Sequence, residues 1–492
     1  MGGNADVPAR LRRGSIRIVF PIACAALVFA FSGVVPPPAQ ASGPTIVGAG
    51  ASFPQLEIEQ WRADVAHKPY QINVNYVSAG STFGREQYIA GLVDFGVSDI
   101  AFQGPELDRL GSKRPFVYVP VSAGGVGFMY NLRDTSGRRI TTLKMTQRTI
   151  CRVFSERGMY WDDAEIKGLN PGLGLRHQPV VPVLRADGAG TSYVLSEFCI
   201  ADAPDVWRSF INYVATDQVL HDGADPFFLN GEPTSRWPPF GGIGQFASDG
   251  VANAVANPAT GDGAMTYVEA GFAYVRGFPV ASVKNTGGRF TLPTASNVNR
   301  ALAYAHSAGN GTLTLAYKAP DPNVYFPSSY SYVIAQTKGL DPNKGRVLGT
   351  FLNYSLTKGQ DRAEPLGYAR LSSVIVNAAL NNVQKIPGAP PRPTQINAPP
   401  PPAIIKGPVV TTPRVVRPVT TGPAAITGPA APGAGPATSI LAQPTPTLQA
   451  WEAAGTTRGP TGREALWTMA QGAALCALGI AMVRGLASRT GR

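Results

Sequence analysis

Between Ser42 and Ile386 short apolar runs alternate with stretches whose apolar residues recur at helical spacing, the pattern of strands feeding helices in an α/β fold. Three segments share one layout. In the first, TIVGAGASFP (45–54), a strand turns at glycines into Ser52 and then a helix with Leu56, Trp61 and Val65 on its apolar side. In the second, Ile72 to Leu92, the strand INVNYV reaches Gly80-Ser81-Thr82 and a helix carrying Tyr88, Ile89 and Leu92. In the third, VVPVLR (180–185) runs into ADGAGTS (186–192) and the helix that continues through Phe198.

A helix start exposes unpaired N–H groups and a partial positive charge, and glycine lets an oxyanion approach the backbone closely. Each segment is therefore a candidate anion cradle. The alternative for each is an ordinary N-cap, in which the hydroxyl serves only its own helix. Neither the phosphate-loop pattern G-x-x-x-x-G-K-[ST] nor the dinucleotide pattern G-x-G-x-x-G occurs at these turns.

The two ends of the 492-residue chain have a different character. Arg10 to Arg17 is basic, Ile18 to Val35 is mostly apolar, and Ala39-Gln40-Ala41 matches a small-residue cleavage site, so residues 1–41 are expected to be a signal peptide. An uncleaved anchor is the alternative. Residues 387–460 hold 18 of the 45 prolines and one carboxylate, Glu452, and are expected to form a disordered Pro-rich stalk sampling extended polyproline II. Residues 465–483 carry no charge and match a hydrocarbon core of ~30 Å, so they are expected to be a transmembrane helix, with an amphipathic or buried helix as the alternative. Arg484, Arg489 and Arg492 follow, which places the tail 484–492 in the cytoplasm and the body outside, anchored in the plasma membrane at the cell surface.

This partition changes the meaning of the net charge of +12. The first 41 residues carry +3 and the stretch from Arg392 onward +7, leaving only +2 on the body, so nucleic acid is not an expected partner. With Cys24 in the signal and Cys476 in the anchor, Cys151 and Cys199 are the cysteines of the body, either as one disulfide or as two separate thiols. His67, His177, His221 and His306 show no metal-ligand spacing, so no metal or other cofactor is expected.

VGAGASFP (47–54), Gly80-Ser81 followed by VDFGVSD (93–99), and RADGAGTS (185–192) resemble, in order and spacing, the phosphate-binding proteins of Pst-type ABC importers. WDDAEI (161–166), LNPG (169–172), SDGV (248–251), TYVE (266–269), Lys358-Gly359 and GYARL (367–371) are similar to further landmarks of that family. The resemblance implies a two-lobed periplasmic-binding-protein fold of type II with hinge strands. The binding domain would span 42–386, with lobe 1 at about 42–125 and 325–386 and lobe 2 at about 126–324. It also implies inorganic phosphate as ligand, held by Ser52, Phe53, Ser81, Asp99, Arg185, Asp187, Gly190 and Thr191, and delivery to ABC permease subunits and, through them, the cytoplasmic ATPase. Two positions depart from the family pattern. Ala189 stands where serine is frequent, so a hydroxyl is lost while the backbone N–H is expected to remain, and Ser52 stands where threonine is common.

The residue types support that assignment chemically. A buried dianion is costly unless it is saturated with hydrogen bonds, and Arg185 offers a planar, always-charged fork. A carboxylate such as Asp99 repels an anion unless the ligand brings a proton to donate, which hydrogen phosphate does and sulfate does not. The reading is of a binding protein and not an enzyme. A phosphatase would need an activated nucleophile or metal ligands, and a surface-anchored phosphate sensor or interaction protein with no transport role is the alternative within the same fold.

Overall fold

The computed structural model describes residues 43–394. The expected signal peptide, membrane helix, cytoplasmic tail and most of the proline-rich stretch lie outside the described residues. Among the described residues no helix is long and apolar enough to cross a membrane.

Eight strands form one mixed sheet: β1 (Ile46–Gly50), β2 (Val74–Ser78), β3 (Phe95–Ser98), β4 (Phe116–Asn131), β5 (Val181–Arg185), β6 (Ile243–Gln245), β7 (Ala264–Glu269) and β8 (Ser328–Gln336). Their order is β2-β1-β3-β8-β4-β7-β5-β6. The first lobe is built on β1 paired in parallel with β2 and β3, and the second on β5 paired in parallel with β6 and β7. The sixteen residues of β4 join the two lobes, because its first part pairs antiparallel with β8 and its last six residues pair antiparallel with β7. Such a strand is buried along nearly its whole length, which explains its run of valine, glycine and aromatic residues without polar alternation.

Pro120 interrupts the ladder. Proline has no N–H to donate, and the β4–β8 register shifts between Ser331 and Tyr332, so that Val121 is an extra residue opposite them.

Helices α1 (Gln55–Val65), α2 (Ser81–Ile89), α3 (Gly190–Asp202) and α4 (Ala247–Ala256) follow β1, β2, β5 and β6. On α1, Trp61 and Val65 are buried as the spacing predicts, together with Ile58. On α2, Tyr88 is buried, but the helix ends at Ile89 and the chain turns through Gly91 at φ 73°, leaving Leu92 exposed rather than on the apolar face. Two further helices, α5 (Pro342–Ser355) and α6 (Ser373–Val383), complete the first lobe.

The start of the proline-rich stretch does not behave as a free stalk. The Pro391 carbonyl accepts from Asn353 on α5, the Pro390 carbonyl accepts from Gln384, and Arg392 bonds Asn377 and Asn381 on α6. The boundary expected at Pro387 therefore moves a few residues later, because asparagine and glutamine side chains satisfy a backbone that proline leaves unable to form a ladder.

Candidate functional site

The functional residues are delivered by strand ends. β1 leads to Ser52 and Phe53, β2 to Ser81, β3 to Asp99, and β5 to Arg185, Asp187 and the loop to Gly190 and Thr191. The carboxyl ends of parallel strands are where α/β sheets open a crevice. Here the crevices of two half-sheets face each other.

Helices α1, α2, α3 and α4 all begin without a side-chain cap. Elsewhere Thr146, Asp163, Thr294, Asp341 and Ser372 cap their helices in the ordinary way. The N-cap alternative therefore fails at the three glycine-rich turns, because their hydroxyls bond other side chains instead, Ser52 in the opposite lobe and Ser81 and Thr191 a carboxylate of their own lobe. Ser52 Oγ accepts from Arg185 Nη2 at 3.0 Å and lies 2.8 Å from Ser248 Oγ. Ser81 Oγ donates to Asp99 Oδ2 at 3.0 Å, and Thr191 Oγ1 donates to Glu269 Oε1 at 2.8 Å.

Arg185 is buried and is forked onto Asp187, with Nε donating to Oδ1 at 2.8 Å and Nη2 to Oδ2 at 2.5 Å. The pair is locally neutral, yet Nη1 still faces Thr191 and Ser248 at 3.5 Å. Asp187 Oδ1 also accepts the Ala247 N–H at 2.9 Å, which fixes the start of α4 against the fork. Phe53 is fully buried, and its carbonyl accepts from Tyr368 Oη at 2.6 Å.

Asp99 accepts from Ser331 Oγ at 2.6 Å as well as from Ser81. Burial pushes its carboxyl up to about 7, against the opposing pull of those two hydroxyls and Arg185, and with Glu269 adding to the rise. Glu269 is likewise raised by burial, with Arg185 opposing.

The structure thus gathers Ser52, Ser81, Asp99, Arg185, Asp187, Gly190 and Thr191 into one buried cleft, with Phe53 at its wall. Gly190 sits so close to the first lobe that a Cβ there would lie 2.5 Å from Asp99 Oδ2 and 2.6 Å from Ser81 Oγ. Ala189 differs from expectation, since its N–H donates to the Ser235 carbonyl at 2.9 Å and is not offered to the cleft. Cys151 and Cys199 are joined as a disulfide that ties the helix Gln147–Val153 to α3 inside the second lobe. A recess of about 220 Å³ opens between the lobes, lined by Thr82 and Arg85 on one side and Tyr193 and Asp225 on the other.

Sequence reasoning did not assign Ser248, Glu269, Ser331 or Tyr267 to the site. Ser248 donates its N–H to Ser52 Oγ at 3.0 Å, and Tyr267 Oη accepts the Arg185 N–H at 3.2 Å and lies 2.8 Å from Ser192 Oγ. Ser248, Tyr267 and Glu269 stand inside recognised motif segments, which was the available signal. For Ser331 the sequence carried no local signal, since its approach to Asp99 follows from the pairing of β8 with β3, where Tyr332 lies opposite Ser98.

Two lobes joined by long strands and enclosing donor-rich helix starts define a solute-binding architecture, a clamp and not a surface patch. Residues 35–358 match the family described as PBP superfamily domain, and the chain belongs to that family. Among curated relatives, a protein named phosphate-binding protein PstS from Methanocaldococcus jannaschii is 26% identical, covering 68% of this chain and 85% of its own length. A protein of the same name from Haemophilus influenzae is 27% identical, covering 68% and 90%. Among solved structures, a periplasmic phosphate-binding protein described as PfluDING with bound phosphate aligns at a TM-score of 0.50 and 18% identity, covering 69% of this chain and 93% of that one.

Proposed function

We propose that the chain is an extracytoplasmic solute-binding protein that captures inorganic phosphate between its lobes and delivers it to an ABC permease. The observation that carries this reading is Asp99, a buried carboxylate held by Ser81 and Ser331 across from the Arg185 fork and three uncapped helix starts. Amides, hydroxyls and a guanidinium stabilise a tetrahedral oxyanion, and the carboxylate demands that the ligand carry an acidic hydrogen. Ser52, Phe53, Ser81, Asp99, Arg185, Asp187, Gly190 and Thr191 form the ligand shell in this reading, joined by Ser248. The relatives named phosphate-binding protein support it. Residues 465–483 anchor the protein beside the permease, and the stretch beyond the described residues acts as a tether that raises its local concentration there.

Calorimetric titration of the full chain in detergent tests the ligand. Phosphate and arsenate are expected to bind within about tenfold of each other, and sulfate at least about a hundredfold more weakly. Sulfate binding as tight as phosphate would overturn the reading.

A further inference from the structure

Asp99 is not the sole carboxylate in the cleft. Glu269 ends β7 where that strand pairs with Val126 of β4, and it is 1% exposed. Its Oε1 accepts the Thr191 hydroxyl at 2.8 Å, and its Oε2 is buried with no hydrogen-bond partner among the described residues. The side chain does not cap the short helix that follows it, and it forms no ion pair among the described residues. The groups that face it are Asp99, Arg185, Thr191, Ser248 and Tyr368. Arg185 is already matched by Asp187. A dibasic ion entering a cleft with both Asp99 and Glu269 ionised would therefore add two negative charges to two that have no cation of their own.

We propose that Glu269 is a second proton-accepting group of the cleft, so that the complex holds one proton more than Asp99 alone can receive and the ion selected is monobasic phosphate. Thr191 fits this arrangement. Its hydroxyl hydrogen is committed to Glu269, so its oxygen, which Arg185 Nη1 faces only at 3.5 Å, can meet a ligand as an acceptor alone, a poor match for a fully ionised oxyanion and a good one for a P–OH group. The carboxyl is raised in the same direction as Asp99, by burial first, with Arg185 opposing. No bond to phosphorus changes. When the free ligand is dibasic, one proton comes from the solvent with each ion bound, and it resides on the ligand or on Glu269, which are the same total composition.

The inference rests on the phosphate reading, and the experiment separates the two. Phosphate affinity of the full chain is measured by calorimetry across pH, in buffers of different ionisation enthalpy, for the wild type and Glu269→Gln. Glutamine keeps the size of the side chain and an oxygen for Thr191 but cannot take up a proton. Above the second ionisation of phosphate, wild-type affinity is expected to fall about tenfold per pH unit with uptake of about one proton, while Glu269→Gln shows a nearly flat profile. Tight wild-type binding without proton uptake would overturn the inference and leave the phosphate reading standing, and so would a wild-type slope retained in Glu269→Gln. Absence of phosphate binding at neutral pH would overturn both. If the variant does not fold, the proton uptake of the wild type decides the matter alone.

Discussion

A carboxylate that is half protonated near neutral pH is a poor neighbour for an anion only while it is charged. Asp99, raised to about 7 mainly by burial, is in that position in the closed cleft. Because its pKa is lifted above the ordinary carboxylate range, closing the empty cleft favours the protonated form and becomes harder as pH rises through about 7. A ligand that brings its own hydrogen removes that difficulty, whereas sulfate does not. Asp99→Asn removes the charge and supplies a donor, so sulfate affinity is expected to rise by about tenfold or more while phosphate affinity falls by less. Competition titration with the two anions checks this, and an equal loss for every oxyanion would show that Asp99 has no part in discrimination.

At the scale of the element, helix α1 has two duties that conflict. Its start must stay uncapped to leave amides for the cleft, and its flank must bury Ile58, Trp61 and Val65. Glu57 lies between these demands. It is fully buried, neither carboxylate oxygen has a hydrogen-bond partner among the described residues, and burial pushes its carboxyl up to about 8, with Ser122 on β4 opposing. A carboxyl whose folded pKa is raised costs nothing below its unfolded value and destabilises the fold increasingly as pH climbs from about 4.5 toward about 8. Glu57→Met, close in volume and free of charge, is expected to stabilise the protein by on the order of 3 kcal/mol at about pH 8 and by much less at about pH 5. Denaturant unfolding at the two pH values measures the difference. A gain independent of pH would mean that packing, and not ionisation, limits this helix.

The whole molecule is a closed clamp, and closure is written into one backbone and one side-chain hydrogen bond between the lobes. The Thr82 N–H donates to the Gly188 carbonyl at 2.9 Å, and Gln55 Nε2 donates to Asp249 Oδ2 at 2.8 Å. A Cβ on Gly188 would lie 2.3 Å from Thr82 Oγ1 and 2.5 Å from Thr82 Cβ. Alanine there obstructs the approach of the lobes without touching the core of either. Gly188→Ala is expected to weaken phosphate binding by about ten- to a hundredfold, with a melting temperature within a few degrees of wild type and loss of the compaction that small-angle scattering should detect on ligand addition. An unchanged affinity would show that the lobes need not meet at this point.

The order of strands and helices, the three glycine-rich turns and the residue types at their ends were legible in the chain because they depend on neighbours a few positions apart. Strand periodicity, helix starts and the chemistry of arginine beside aspartate are local. Ser331, Ser248 and Glu269 were not placed in the site by such rules, for they reach it from strands and a helix distant in sequence. Ser331 meets Asp99 because β8 pairs antiparallel with β3, which sets Tyr332 opposite Ser98, and Ser248 meets Ser52 only when the lobes are closed. The role of Ala189 was decided in the same way, by a carbonyl 46 residues further along the chain at Ser235. The amino-acid order determined which groups are available to hold an anion. Long-range register and lobe closure determined which of them face one another, since hydrogen-bond partners are selected by position in space.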